Sequence, residues 1–211
     1  MLATLTVGKY SLDVVRSAIP LRPEVDERRR ARLKLVFGAA HYSELLCELP
    51  KAKVAVWIAT ANLKDVRLEA PIGSRARARG RYWSALELFG DLIQRGVDVR
   101  VLHGRPPSAP FQQELRGRAG LKKKLELRHC PRVHMKVVCV DGRLLYLGSA
   151  NFTGAGMGAR DAARRNFELG VVTDDEYLLD QAQAEFAAIW SGRHCARCKL
   201  RRLCPKPIDT L

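Results

Sequence analysis

His134 and Lys136 stand two residues apart in an otherwise apolar stretch, so on a strand the pleat sends both side chains to one face and Met135 to the other. Two potential cations side by side make a poor core, because they repel and neither gives up water cheaply. They suit an anion. Further on, Gly148-Ser149-Ala150-Asn151 offers a residue that lets the backbone come close and two neutral side chains that donate to oxygen. A nucleophile or base, a fixed cation and neutral donors converging on one point are the parts of a phosphoryl-transfer site that works without a metal.

A β-hairpin over Val133 to Leu147 is expected to bring these groups together, since Asp141-Gly142 between two apolar runs suits a type I′ turn. Upstream, Val54 to Ile58 reads as a strand covered on both faces. Ser84 and Glu87 form a capping box for a helix ended by Gly96, and Val97 to Leu102 is the next strand. Strand, helix, strand makes a βαβ unit and predicts a parallel pair in a layered α/β/α fold. Leu125 to His129 and Phe167 to Val172 read as further strands, and Thr173 with Glu176 as the capping box of the last long helix, closed by Gly192. Ile72 to Arg81 reads as a linker rich in Arg and Gly.

The 211 residues suit one domain with terminal additions: an extension over 1–39, a catalytic domain over 40–192, and a cysteine-rich basic tail over 193–211. The net charge is +15, and the basic residues cluster at Arg28 to Lys34, Arg75 to Arg81, Lys122 to Lys124 and Lys199 to Arg202. One such cluster is usually a solvated face; four together favour a polyanion such as DNA or RNA. Arg75, Arg77, Arg79, Arg81, Lys199, Arg201 and Arg202 are the expected phosphate contacts. Met1 to Ala18 lacks the pattern of a secretory signal and no window reaches the length of a membrane span, so a cytoplasmic protein is expected.

His134, Lys136, Asp141, Gly148, Ser149 and Asn151 together resemble the HxKxxxxDxxxxxxGSxN motif of the phospholipase D superfamily, at every defined position. Asn166-Phe167-Glu168 and the preceding βαβ unit resemble its small bacterial nuclease branch. The resemblance implies that His134 attacks phosphorus, that Lys136, Ser149 and Asn151 grip the phosphate oxygens, and that Glu168 orients the histidine. Asp141 reads instead as a structural residue of the turn. Such chemistry takes a second histidine as general acid, and one imidazole cannot fill both roles at once. Because the chain carries a single motif, the resemblance implies a homodimer with the active site at its interface. The function expected is a nuclease that forms a phosphohistidine. The alternatives are a phospholipid phosphodiesterase and a protein that binds nucleic acid without cutting it. His41, His103 and His129 read as structural histidines, and Tyr82-Trp83 as packing residues with a possible stacking role.

Six cysteines in a reducing compartment point away from disulfides. Cys195, Cys198 and Cys204 have the spacing of metal ligands, and Cys47, His194 and Cys130 are candidates for the fourth position. The CxxC followed by Cys204-Pro205 resembles the C-terminal cluster of iron–sulfur nucleases, which implies Cys47 as the distant fourth ligand of a [4Fe–4S] cluster. Thiolates suit zinc equally. Either metal is expected to be structural, and no cofactor is expected for catalysis. Cys139 reads as core.

Overall fold

Strand-forming runs in two halves of the chain combine into one mixed sheet in the computed structural model, which describes residues 30–210. In chain order its strands are β1 (Lys34–Phe37), β2 (Ala55–Thr60), β5 (Asp98–His103), β6 (Glu126–His129), β7 (Val137–Val140), β8 (Leu144–Gly148) and β9 (Leu169–Thr173), laid side by side as β1-β9-β8-β7-β2-β5-β6. β3 (Arg67–Glu69) and β4 (Tyr82–Ser84) form a separate antiparallel pair. The helices are α1 (Arg75–Ala78), α2 (Ala85–Gln94), α3 (Ala109–Gly117), α4 (Ala119–Lys124) and α5 (Glu176–Trp190).

The expected βαβ unit is present: β2 and β5 pair in parallel across α2, whose Ser84–Glu87 capping box is complete. Alternation along the strands divides the core between the two faces. Val56, Ile58, Val99, Val101, Val138 and Tyr146 meet Leu86, Leu88, Phe89 and Leu92 of α2 on one face. Ala59, Leu102, Val137, Cys139 and Leu145 meet Leu179, Phe186 and Trp190 of α5 on the other. The result is the layered α/β/α arrangement, with Cys139 in the core as expected.

Several boundaries move. β1 lies in the region assigned to the N-terminal extension, yet it pairs with β9, Lys34 opposite Val172 and Phe37 opposite Leu169, and so belongs to the sheet. The rest of that extension falls outside the described residues. Ile72 to Arg81 is not an open linker: Ser74 caps α1 by accepting from the Arg77 N–H. The last strand starts at Leu169 rather than Phe167, because Asn166 and Glu168 are engaged in side-chain hydrogen bonds. Helix α5 is capped by Asp175, which accepts from the Leu178 N–H, and not by Thr173. Thr173 remains in β9, where its hydroxyl donates to the Arg32 carbonyl and accepts from the Asp175 N–H.

Candidate active site

Strands β2 and β5 end side by side at Thr60 and His103, and the motif assembles beyond that edge of the sheet, where open α/β sheets commonly bind ligands. β7 begins only at Val137, so His134 and Lys136 lie in the extended approach to the hairpin rather than on the strand itself. His134 is exposed and Lys136 half-buried. The Lys136 ammonium donates to the His134 carbonyl at 2.6 Å and lies 3.3 and 3.4 Å from the two ring nitrogens. Burial lowers the pKa of Lys136, while the nearby Glu168 carboxylate acts in the opposite sense.

The loop after β5 supports this approach from behind. A Cβ at Gly104 would sit 2.0 Å from the Val133 carbonyl oxygen, so only glycine lets the two backbones pass next to His134. His103 and His129 stack there at 5.3 Å, His103 Nδ1 lies 3.0 Å from the Arg105 carbonyl, and His129 Nε2 lies 3.2 Å from the Gly104 carbonyl. Burial lowers the His103 pKa to about 4, so its ring is neutral at pH 7. Both rings thus engage backbone carbonyls of the loop behind the motif.

The hairpin turn fixes the register of both halves of the motif. Asp141 and Gly142 have φ of 52° and 63°, as a type I′ turn requires. The Asp141 carboxylate accepts from the Lys53, Val54 and Ala55 N–H groups at 2.8 to 3.1 Å, which ties the turn to the start of β2. At the far end of the hairpin, a Cβ on Gly148 would lie 2.4 Å from the Tyr146 hydroxyl and 2.8 Å from the Gly170 Cα. The small residue lets β9 close onto β8 and brings Glu168 to Ser149.

Ser149 Oγ donates to Glu168 and accepts from the Leu169 N–H at 3.1 Å, and the other Glu168 oxygen accepts from Asn166 at 3.1 Å. Glu168 therefore holds Ser149 in place, in contrast to the expected bond to His134. Asn151 is fixed through its carbonyl oxygen, which accepts from the Asn62 N–H at 2.9 Å and lies 3.4 Å from the Thr60 hydroxyl. With the oxygen engaged, its amide N–H groups are left to donate. Buried Thr60 also accepts from the Phe152 N–H. Thr60, Asn62 and Gly104 escaped the sequence reading, because each acts through a backbone contact that only the sheet creates.

The basic residues divide. Arg77 pairs with Glu69, Arg81 with Glu87 and Arg201 with Asp209, whereas Arg75, Arg79, Lys199 and Arg202 are exposed. Exposed pairs of this kind contribute little stability and remain able to exchange partners. Tyr82 is exposed and Trp83 packs against the core. Cys195, Cys198 and Cys204 line one pocket together with Cys130. Cys47 is exposed elsewhere, among Glu69, Lys51 and Glu48, and His194 does not line the cavity. Cys130 follows the end of β6, and the sheet brings it back beside the tail, a neighbourhood that distance along the chain does not reveal. Among the described residues no helix is long and apolar enough to cross a membrane.

Comparison with known proteins agrees with the motif. Residues 45–190 match the family model described as "Cardiolipin synthase, PLD-like domain". The mitochondrial cardiolipin hydrolase of Danio rerio is 30% identical over 112 residues, which are 52% of this chain and 47% of that protein; the match thus spans about half the length of each. The phospholipase D family member Nuc of Salmonella typhimurium is similar in fold, with a TM-score of 0.50 and 18% identity over 76% of this chain and 95% of that one. The polyphosphate kinase of Porphyromonas gingivalis also has a TM-score of 0.50, with 14% identity over 76% of this chain and 26% of its own. The chain belongs to the PLD-like domain family of the phospholipase D superfamily.

Proposed function

We propose that this protein is a nuclease that cleaves DNA or RNA through a phosphohistidine on His134. The observation that carries the reading is the pair of exposed His134 and half-buried Lys136, 3.3 Å apart, beside the anchored donors Ser149 and Asn151. In this mechanism an imidazole nitrogen of His134 attacks phosphorus and the P–O bond to the leaving group breaks. Lys136, Ser149 and Asn151 hold the non-bridging oxygens as charge builds there. A second imidazole protonates the leaving oxygen and then takes a proton from the water that hydrolyses the phosphohistidine. The net charge of +15, with exposed Arg75, Arg79, Lys199 and Arg202, suits a polyanionic backbone better than a lipid.

The second imidazole comes from another copy of the chain in this reading. Leu35 and Phe37 on β1, Leu169 on β9 and Phe167 just before it are exposed apolar side chains, and Leu169 adjoins Ser149. Such a patch at the margin of a site that holds one histidine suits a twofold interface. The reaction belongs to the cytoplasm, where thiols stay reduced.

The test is cleavage of labelled single-stranded DNA, duplex DNA, RNA and cardiolipin vesicles in EDTA, by the wild type and by His134→Asn. Nucleic acid should be cut by the wild type, and the variant should be slower by about three orders of magnitude or more while binding equally well. Cleavage of cardiolipin alone would favour a lipid phosphodiesterase, the activity named for the Danio rerio relative. Salt-sensitive binding without turnover by either protein would leave a binding function. Equal cleavage by both would remove His134 from the mechanism.

A further inference from the structure

The tail beyond α5 has little to hold it by hydrophobic packing. Past Trp190, Ile208 is the one buried apolar side chain among the described residues, and Leu203 is 79% exposed. The tail nevertheless follows an ordered path of successive turns. The N–H of Cys195 donates to the Gly192 carbonyl, that of Cys198 to Cys195, that of Arg201 to Cys198 and that of Cys204 to Arg201. These turns place the thiols of Cys195, Cys198 and Cys204 around one partly open pocket. Its opposite wall is His129 and Cys130, where β6 runs out towards His134. Cys130 is itself fixed, its N–H donating to the His103 carbonyl and its carbonyl accepting from the Val133 N–H. The six cysteines are all free, so no disulfide makes this connection.

The four thiols border the cavity rather than converge on a point. Among the described residues no three His, Cys, Asp or Glu side chains are placed to hold one metal ion. A single zinc draws its thiolates to about 2.3 Å from one centre. A four-iron cluster instead spreads its ligands around a cage, one thiolate to each iron. We propose that Cys130, Cys195, Cys198 and Cys204 ligate a [4Fe–4S] cluster, which fastens the C-terminal tail to the segment that carries His134. The cluster needs all four thiolates and has no position for Cys47. Its place is structural: it closes a loop between β6 and the tail, and it holds the exposed Lys199 and Arg202 beside that segment.

The full chain, purified without oxygen, is assayed for iron, acid-labile sulfide and zinc, and for visible absorption. The expected content is about four iron and four sulfide per chain. Cys130→Ser and Cys204→Ser should each lower both at least tenfold, whereas Cys47→Ser and His134→Asn should keep them. Apo-protein made from the wild type with a chelator and reductant should recover the cluster from ferrous iron and sulfide. Limited proteolysis should then cut the apo form after α5 and spare the loaded one, a readout that does not need nuclease activity. One zinc per chain in place of iron, loss of iron in Cys47→Ser, or failure of the wild-type apo-protein to take up iron and sulfide while folded by circular dichroism would overturn the proposal.

Discussion

The pair formed by His134 and Lys136 has a built-in sensitivity to alkali. Burial lowers the Lys136 pKa, so the ammonium loses its proton below the ordinary lysine range as pH rises, and the grip on phosphate weakens with it. Cleavage by the wild type should therefore fall along an alkaline limb that starts below the ordinary lysine range. Lys136→Arg, about 10²-fold slower because its fork misplaces the charge, should lack that limb, since a guanidinium keeps its proton there. Matching limbs in a pH–rate comparison of the two would rule out Lys136 as the titrating group. The chemical pair was legible in the residues because His134 and Lys136 are close in sequence. Glu168 was assigned to the histidine, yet it bonds Ser149 and Asn166, a choice set by how β9 closes on β8 and invisible before the strands are paired.

Elements explain why the site is rigid. The loop after β5 touches the Val133 carbonyl through Gly104, and the Asp141 carboxylate holds the hairpin to β2. Gly104→Ala must push the His134 approach aside, because its new methyl would meet the Val133 oxygen at 2.0 Å. Misplacement of that order costs about 10²-fold in rate, so kcat should fall by about that factor with circular dichroism unchanged. Wild-type kcat in Gly104→Ala would show that the loop yields freely. The α2 capping box, the β2–β5 pairing and the Asp141-Gly142 turn follow from local spacing and were readable as such. The start of α5 was misplaced because Thr173 and Asp175 are both good caps, and Thr173 is held in β9 by the Arg32 carbonyl.

On the scale of the molecule, the apolar margin of β1 and β9 should decide the oligomeric state. Phe37→Asp places a charge among exposed Leu35 and Leu169 without touching the core, since Phe37 is 63% exposed. By sedimentation velocity the wild type should be a dimer and the variant mainly monomer, with cleavage reduced at least tenfold and restored in part at high protein concentration. A fully active monomer would refute the shared site. That margin was hidden in the sequence because β1 fell in the region assigned to an extension. The sheet order also bears on how the chain acquires its form. β2 has its parallel partner β5 nearby in sequence, but its other neighbour β7 comes much later, the Asp141 anchor lies 86 to 88 residues on from the groups it binds, and β1 waits for β9 in the C-terminal half. With so many distant pairings, folding should be slow for the size. On the ribosome β1 and the β7-side edge of β2 must stay unpaired until the C-terminal half emerges, a period in which those edges are open to chaperones.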